Sequence, residues 1–478
     1  MALSHKNGVA LSGVSALNGI AKASIAAING QTIAAEGGGG AFDTTFDAYY
    51  DSSWALTTSQ ADRTYSLPSK PAKASSLGTE SLLDHFSDAR VYRATDYAND
   101  SLYLSPTRVR HEYSKRQAFN ADNSLYLEQG SNGYWYLYDK STFAKVAQTG
   151  GGGSIQGMAG DCEAIWHPTD ASKIWYTDNN GGLIYYEYNV DTQTSSTLFT
   201  LSGKLPAGFE TAARAWTKGE GRPSNDGRYW WLMIETDGFS HLGMVCYDRQ
   251  ADSVIGHFLS SQRPDHCSMS PLGTYGWCSY TSSPWATYYP RTFTGSINGG
   301  TTAYSSVEHE DLAIGADGTS EWVVYPDYSN TGYMIAKMLG GAGTSHQMVN
   351  LYPASGESTA VHISGLASEL QPGWVLVSAY GSYSDYGSTE PAPTARWLYE
   401  SCYWVRIGAS PTPRIVSEMH SRRYGANSDL TYFAEPQATP SKDGTHILFA
   451  SNWIGRSGTT EHVEPDDYLI GLPSWWSE

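Results

Sequence analysis

Residues 223–248 read PSNDGRYWWLMIETDGFSHLGMVCYD, and the fold is predicted from this stretch. A polar turn from Pro223 to Gly227 precedes the aromatic segment RYWWLMIET, and the apolar segment LGMVCYD follows after a short loop. Aromatic and β-branched residues favour strands, whereas Asn, Asp and Gly favour tight turns. The stretch therefore predicts two neighbouring strands of one small sheet.

The same unit recurs from residue 111 onward. Its turns are NADNS (Asn120 to Ser124), HPTDAS (His167 to Ser172), PSNDG (Pro223 to Gly227), SPLG (Ser270 to Gly273), GADG (Gly315 to Gly318), LQPG (Leu370 to Gly373) and PSKDG (Pro440 to Gly444). Seven copies of one small sheet favour a closed ring, because radial stacking covers the apolar faces of every sheet. We therefore predict an all-β fold, a seven-bladed β-propeller, with one blade completed by a strand from before residue 111.

Composition agrees with this prediction. The chain has 34 Tyr, 16 Trp and 49 Gly, and only 16% of its residues are charged, which is typical of short aromatic strands and tight turns. A pair of β-sandwiches would give a similar composition. The regular placement of a turn before each aromatic strand favours the propeller.

Charge and cysteine content exclude several classes of protein. The net charge of −18 argues against nucleic acid as a partner, because such binding relies on a basic surface. The five cysteines are scattered without a CxxC spacing, so neither a disulfide framework nor a metal site is expected. Since no apolar run approaches the roughly 18 residues of a membrane-spanning helix, we expect no membrane partner.

The first 36 residues contain a short repeat. Asn7-Gly8, Asn18-Gly19 and Asn29-Gly30 recur every eleven residues, which predicts short strands joined by type I′ turns. So small a unit buries its apolar residues only against a partner chain or other copies, so residues 1–36 are interpreted as an anchor. A signal peptide or a flexible tail are the alternatives, but polar residues interrupt the apolar core of a signal peptide.

Residues 18–30, NGIAKASIAAING, resemble the repeats of structural proteins from tailed bacteriophages. The resemblance implies a virion protein whose residues 1–36 bind other virion proteins, with several copies on the particle surface. Residues 37–105 then form a glycine-rich hinge and a connection that wraps over the surface, and residues 106–478 form the propeller.

Polar residues precede the turns of the propeller, where the innermost strand of each blade borders the central channel. Counting back about seven residues from the turn glycines leads to these positions and their neighbours. The predicted ligand-binding residues are Glu163, Glu220, His266, His309, Asp311, His362, His420 and Gln437. Alternatively, these groups only satisfy backbone groups and ordered water inside the channel.

The propeller also resembles polysaccharide lyases of the oligogalacturonate and ulvan type. The stretches that carry this resemblance are RHEYSKRQAFNAD (residues 110–122), EPQATPSKDG (435–444) and FASNW (449–453). It implies proton transfer by His111 and Tyr113 and neutralisation of a uronate carboxylate by Arg116. Since Gln437 is followed by Ala438 and Thr439 and not by the histidines of the metal-binding type, no metal or other cofactor is expected.

These observations support three functional hypotheses. The first is a virion protein, a capsid or tail decoration or fibre, that displays a propeller for host-surface polysaccharide. Tyr380, Tyr383, Tyr386 and Trp285 are then expected on exposed loops as sugar-stacking groups. The second hypothesis is a lyase that depolymerises acidic polysaccharide, and the third is a purely structural propeller without a ligand.

Overall fold

Seven sheets follow one another along the computed structural model of the chain, and their strands are antiparallel except for the parallel outer strand Thr294–Ser296 of the third sheet. It describes residues 69–78, 89–341, 343–352, 360–380, 401–411, 413–421, 432–453 and 464–471, together with short strands elsewhere. Each sheet has four or five strands, and strands that are adjacent in a sheet are mostly consecutive in sequence. The predicted seven-bladed β-propeller is confirmed.

The blades are numbered 1 to 7 along the chain, and the strands of each blade are given from the inside outward. Their bounds are Val109–Arg110, Leu125–Gly130, Trp135–Asp139 and Lys145–Gln148 in blade 1; Ile165–Trp166, Lys173–Thr177, Ile184–Asn189 and Thr194–Thr200 in blade 2; Arg214–Trp216, Tyr229–Glu235, His241–Asp248, Ser253–Leu259 and Thr294–Ser296 in blade 3; His266–Met269, Tyr275–Ser279, Ala286–Pro290 and Thr301–Tyr304 in blade 4; Asp311–Ile314, Glu321–Asp327, Tyr333–Met338 and Ser345–Asn350 in blade 5; Ala360–Ser364, Trp374–Tyr380, Ser401–Arg406 and Arg414–Glu418 in blade 6; and Thr439–Pro440, His446–Ser451, Asp466–Gly471, Arg90–Arg93 and Leu82–Leu83 in blade 7. Two short 3-10 helices, Ile297–Gly299 and Leu366–Glu369, lie in connections.

Blade 7 closes the ring with strands from both parts of the chain. Arg90–Arg93 pairs antiparallel with Asp466–Gly471, with Tyr92 opposite Leu469. The Arg93 guanidinium adds an ion pair to the buried carboxylate of Asp466 at 2.7 Å. This pairing confirms the prediction that one blade takes an outer strand from before residue 111.

Aromatic side chains fill the spaces between blades. Trp230 of blade 3 lies with its ring 5.0 Å from Tyr185 and 5.2 Å from Phe199 of blade 2. Close approach also requires small residues, because a Cβ at Gly276 of blade 4 would lie 2.0 Å from the indole of Trp231. The high content of Tyr, Trp and Gly therefore reflects blade packing.

Blade 1 interrupts its inner strand with an excursion into the channel. The strand pairs with its neighbour at Val109–Arg110 and again at Phe119, and residues 111–116 between them leave the sheet. We call these residues, HEYSKR, the channel segment. Their side chains and carbonyls contact residues on or beside the inner strands of all six other blades, so the segment crosses the axis of the ring.

The N-terminal residues form a separate unit, residues 1–44. Three short antiparallel strand pairs are described there: His5–Lys6 with Val9–Ala10, Ala16–Leu17 with Ile20–Ala21, and Ala27–Ile28 with Gln31–Thr32. Each pair is separated by the two residues Asn-Gly, as expected of a two-residue hairpin connection. Elsewhere, Asp62–Thr64 pairs with Thr394–Arg396. No helix in the described residues is long and apolar enough to cross a membrane.

The exposed aromatic loop expected from the sequence is found only in part. Tyr380 was expected at an exposed position and is buried, because it ends a strand of blade 6 and its ring stacks 5.1 Å from His362. Trp285 is half-buried on a loop of blade 4. Tyr383 and Tyr386 lie outside the described residues.

Candidate functional site

The channel segment carries two side chains to one mouth of the channel. Tyr113 and Lys115 are both buried, because the excursion turns back through a hydrogen bond from the Arg116 amide to the Tyr113 carbonyl. Polar residues from five other blades surround them. We call the resulting set the mouth cluster; its members are Tyr113, Lys115, Glu220, Asp265, His266, His309, Glu310, His362 and Glu435.

Tyr113, His362 and Glu435 form a hydrogen-bonded chain. The Tyr113 hydroxyl lies 3.3 Å from Nδ1 of His362, and Nε2 of His362 lies 2.7 Å from the Glu435 carboxylate. An ionised Glu435 accepts the Nε2 proton, which leaves Nδ1 as the acceptor for the hydroxyl. Burial, together with Glu220 and other acidic groups, raises the pKa of Tyr113 well above its ordinary value. Tyr113 therefore keeps its hydroxyl proton and lies in hydrogen-bonding distance of the His362 ring.

His309 lies on the other side of His362. The two imidazole rings are nearly parallel, with centroids 4.4 Å apart. Nδ1 of His309 is 3.2 Å from the Val361 carbonyl, so this nitrogen carries the proton and Nε2 carries the lone pair. Burial and the neighbouring His362 lower the pKa of His309 to about 4. A neutral His309 therefore has the protonation state of a general base at neutral pH.

Lys115 and His266 lie among carboxylates. Lys115 Nζ is 3.0 Å from Glu220 and 3.8 Å from Glu310, and Nε2 of His266 is 2.6 Å from Glu310. Burial lowers the pKa of Lys115, but Glu310 and Glu220 outweigh it and raise that pKa to about 12. Burial and Lys115 likewise oppose a charge on His266, yet Glu220, Glu310 and Asp265 raise its pKa to about 9.

The rim of the mouth is accessible to solvent. The side chains of Glu220 and Asp265 are 30% and 37% exposed. Tyr432, next to Phe433, is 41% exposed and presents an aromatic surface at the same mouth. A pocket with an empty volume of about 590 Å³ adjoins the channel segment and is lined by Arg108, Glu112, Gln129, Asp161 and Phe433 among others.

Two residues implied by the lyase resemblance lie in the packed interior. His111 is buried, with Nδ1 2.6 Å from Asp467 and Nε2 2.6 Å from the Gln437 carbonyl. The Arg116 guanidinium is also buried and donates to Glu112 at 3.0 Å, to the Ala164 carbonyl at 3.1 Å and to the Gly221 carbonyl. These contacts link the channel segment to blades 7, 2 and 3. Of the three residues, Tyr113 alone belongs to the mouth cluster.

The predicted ligand-binding residues divide into two groups. Glu220, His266, His309 and His362 belong to the mouth cluster. The other four lie in the packed wall. The Glu163 carboxylate accepts hydrogen bonds from the backbone amides of Thr217 and Gly219. Asp311 forms an ion pair with Arg222 at 2.9 Å. The remaining two are Gln437, whose amide oxygen accepts from Arg110, and His420, whose ring packs on Trp453.

Sequence reasoning missed four members of the cluster. Lys115 and Glu435 stand inside the stretches that carry the lyase resemblance, and Asp265 and Glu310 each precede a residue that was selected. Asp265 and Glu310 lie just before the inner strands His266–Met269 and Asp311–Ile314, outside the alternating pattern of a strand, so residues adjacent in sequence both reach the mouth. A search for acidic residues beside each counted position would have found Asp265 and Glu310.

No known protein family and no curated protein matches the sequence. Solved structures do match the fold. An oligogalacturonate lyase in complex with manganese superposes with a TM-score of 0.54 at 13% sequence identity, over 86% of this chain and 99% of that chain. The oligogalacturonate lyase of Vibrio parahaemolyticus gives a TM-score of 0.53 at 14% identity, over 85% of this chain and 100% of that chain.

The surroundings of Gln437 do not fit the metal that one of these lyases contains. The Gln437 amide oxygen accepts a hydrogen bond from the buried guanidinium of Arg110, and Ala438 and Thr439 supply no ligand nitrogen. Because the Arg110 cation already faces this oxygen, the Gln437 position does not fit a metal ion.

At these sequence identities the likeness establishes the architecture and not the activity. None of the comparisons supports the resemblance of residues 18–30 to bacteriophage proteins, which stays a prediction. The chain has a seven-bladed β-propeller similar to that of the oligogalacturonate lyases.

Proposed function

We propose that this protein is a polysaccharide lyase that cleaves acidic polysaccharide by β-elimination. The observation that carries the proposal is the pair of Tyr113 and His309 on either side of His362. Their environments separate their pKa values in the sense needed for an acid and a base, since Tyr113 keeps its proton and His309 is neutral. The shared architecture with the oligogalacturonate lyases is consistent with this chemistry.

The reaction needs one base and one acid. In β-elimination the C5 proton of a uronate residue is removed, the C4–O bond breaks, a C4=C5 double bond forms, and the leaving oxygen takes up a proton. We assign removal of the C5 proton to Nε2 of His309 and protonation of the leaving oxygen to the Tyr113 hydroxyl. The proton balance closes after each turnover, because Tyr113 takes up a proton from solvent and His309 releases the C5 proton to solvent.

His362 and Glu435 are assigned as positioning residues. Glu435 fixes the tautomer and orientation of His362, and His362 holds the Tyr113 hydroxyl and supports the ring of His309. Lys115 is a cation beside the acid, with its Nζ 5.7 Å from the centre of the Tyr113 ring. It therefore replaces Arg116 as the candidate for neutralising the substrate carboxylate.

The test uses the appearance of unsaturated uronate ends, which absorb in the ultraviolet. Full-length protein is mixed with polygalacturonate, ulvan and alginate, and Tyr113→Phe is compared with the matched control Tyr185→Phe. Tyr185 is also buried and hydroxyl-bonded, but to the Ala215 carbonyl between blades. We expect turnover of at least one polymer, lost in Tyr113→Phe and kept in Tyr185→Phe. Absence of turnover on all acidic polymers, or full activity of Tyr113→Phe, would refute the proposal.

Attachment to a virion through residues 1–36 is a separate proposal. It is supported by the eleven-residue repeat and by the three strand pairs that flank its Asn-Gly dipeptides. Under it, copies of the anchor bind other virion proteins, and the propeller meets polysaccharide on the host surface. The comparisons favour the lyase hypothesis for the propeller itself.

A further inference from the structure

Nδ1 of His266 is a buried nitrogen without a hydrogen bond among the described residues. His266 is only 4% exposed, and this nitrogen has no partner within hydrogen-bonding geometry. It faces two carboxylates, with Glu220 Oε2 at 3.5 Å and Asp265 Oδ2 at 3.9 Å. A buried polar atom normally has a partner, so this arrangement calls for a ligand.

The other nitrogen of His266 is held in the way that metal-binding histidines are held. Nε2 lies 2.6 Å from Glu310 Oε1, and the indole of Trp277 donates to the same oxygen at 2.8 Å. Metal binding at Nδ1 releases the proton that Glu220 and Asp265 favour there, while Glu310 keeps the Nε2 proton and fixes the direction of the ring. Carboxylate–histidine pairs of this kind are typical supports of a metal ligand.

A lysine contacts one oxygen of each acidic residue; in Asp265 the other oxygen, Oδ2, faces Nδ1 of His266, whereas in Glu220 the oxygen that faces Nδ1 is Oε2, which Lys115 also contacts. Lys115 Nζ contacts Oε2 of Glu220 at 3.0 Å, and Lys218 Nζ contacts Oδ1 of Asp265 at 2.6 Å. One ligand atom from each of Glu220, Asp265 and His266 can be chosen so that all three lie within 4.8 Å of one another. Three atoms at this spacing can converge on one ion after small side-chain rotations.

We propose that Glu220, Asp265 and His266 bind a divalent cation at the channel mouth. Two carboxylate oxygens and one imidazole nitrogen suit Mn²⁺ or a similar first-row ion, and the partial exposure of Glu220 and Asp265 leaves the remaining coordination positions to water or substrate. These residues differ from Gln437, where Arg110 excludes a metal.

Electrostatics give the ion a role that rests on the proposed lyase function. The described mouth residues include the carboxylates of Glu220, Asp265, Glu310 and Glu435, and the cations of Lys115, Lys218 and protonated His266 offset only part of this charge. A uronate would meet a net negative surface here. A bound divalent cation reverses that balance and gives the substrate carboxylate a counter-charge beside Tyr113.

The binding test needs no polysaccharide, so it can fail or succeed independently of the lyase proposal. Full-length protein freed of metal by a chelator is titrated with MnCl₂ by isothermal calorimetry, with electron paramagnetic resonance of free Mn²⁺ as a second readout. Asp265→Asn and His266→Gln are compared with Asp237→Asn, an acidic residue that is 90% exposed on a blade 3 loop. Circular dichroism checks that each variant is folded.

We expect one Mn²⁺ per chain, at least tenfold weaker binding in both site variants, and unchanged binding in Asp237→Asn. Asp265 is partly exposed, so Asp265→Asn is expected to fold even if His266→Gln does not. No saturable binding of Mn²⁺, or equal binding in wild type and Asp265→Asn, would overturn the proposal. If Mn²⁺ binds and no polymer is cleaved, the site stands and the lyase function does not.

Discussion

The Tyr113 hydroxyl lies 3.3 Å from Nδ1 of His362, although 249 positions separate the two residues in the sequence. The channel segment makes this contact possible, because it carries Tyr113 from blade 1 across the axis to the inner strand of blade 6. His362 is in turn fixed by Glu435, which precedes the inner strand of blade 7. The proposed acid is therefore positioned by elements from three blades.

Glu435→Gln should slow catalysis without weakening substrate binding. The amide cannot hold His362 in one tautomer as an ionised carboxylate does, so the Tyr113 hydroxyl loses its fixed acceptor. We expect kcat to fall by about 10²-fold with KM nearly unchanged, the order of a general acid–base contribution. Steady-state kinetics measure the split, with Glu435→Asp as a partial rescue. A loss confined to KM would contradict the positioning role.

The pH dependence should identify His309 as the base. Its conjugate acid has a pKa of about 4, so the nitrogen is neutral above that pH and protonated below it. We expect kcat/KM to be constant through neutral pH and to fall only as the pH drops through about 4, with folding followed by circular dichroism. An acid limb near the ordinary histidine value of about 6.5 would exclude this assignment.

Glu128→Gln should raise the free energy of unfolding relative to the wild type, and this gain should grow as the pH rises. Glu128 is fully buried, and burial, followed by the neighbouring Asp467, raises its pKa well above the ordinary value; Arg110 opposes this shift. The unfolded chain ionises Glu128 at a lower pH than the folded chain does, so the wild type loses stability through this interval.

Through Glu128 the wild type loses up to about 1.4 kcal/mol of unfolding free energy per pH unit. The variant, which has no ionisable group at this position, does not lose it. Urea denaturation at a series of pH values should therefore show a gain for Glu128→Gln that grows from acid to neutral pH. Glu210→Gln, at a fully exposed position, serves as the control. A gain independent of pH would assign the effect to packing.

Arg116→Ala should destabilise the propeller strongly. The guanidinium joins Glu112 to the carbonyls of Ala164 and Gly221, and its removal leaves these buried acceptors without a donor. The expected loss is about 3 kcal/mol in the free energy of unfolding. The matched control is Arg228→Ala, whose side chain is 37% exposed in its pair with Asp248. The control should leave the free energy of unfolding nearly unchanged, because solvent screens this exposed pair.

Deletion of residues 1–44 should leave the propeller folded. These residues form a unit of their own, and the ring is closed by Arg90–Arg93, which the deletion retains. We expect an unchanged melting temperature and unchanged Mn²⁺ binding for the truncated chain, together with loss of attachment to particles if the anchor proposal holds. Unfolding of the truncated chain would show that the N-terminal unit is part of the fold.

The architecture could be predicted from the sequence because blade packing leaves a periodic signal. Each polar turn precedes an aromatic strand, as in PSNDG before Tyr229–Glu235, and every such strand was found. The counting rule also found His266, which begins the inner strand directly before the turn of blade 4, and Glu220, which lies between the inner strand of blade 3 and its turn.

The site itself was only partly predictable, because the channel segment departs from the strand pattern. A regular inner strand would place residues 111–116 along the channel wall, whereas the excursion directs Tyr113 and Lys115 into the mouth and ties Arg116 to carbonyls of other blades. Nothing in the periodicity marks this departure. Contacts between distant blades, such as that of Tyr113 with His362, are likewise invisible without the folded chain.

The excursion of blade 1 also decides how a long polymer can approach. Among the described residues, 111–116 span the bore of the ring and obstruct the passage of a polysaccharide strand from one face to the other. Under the proposed lyase function, a polysaccharide therefore approaches Tyr113 from the face that carries the mouth cluster. Cleavage in the interior of a long chain, without recourse to a free end, is the mode of attack that this geometry favours.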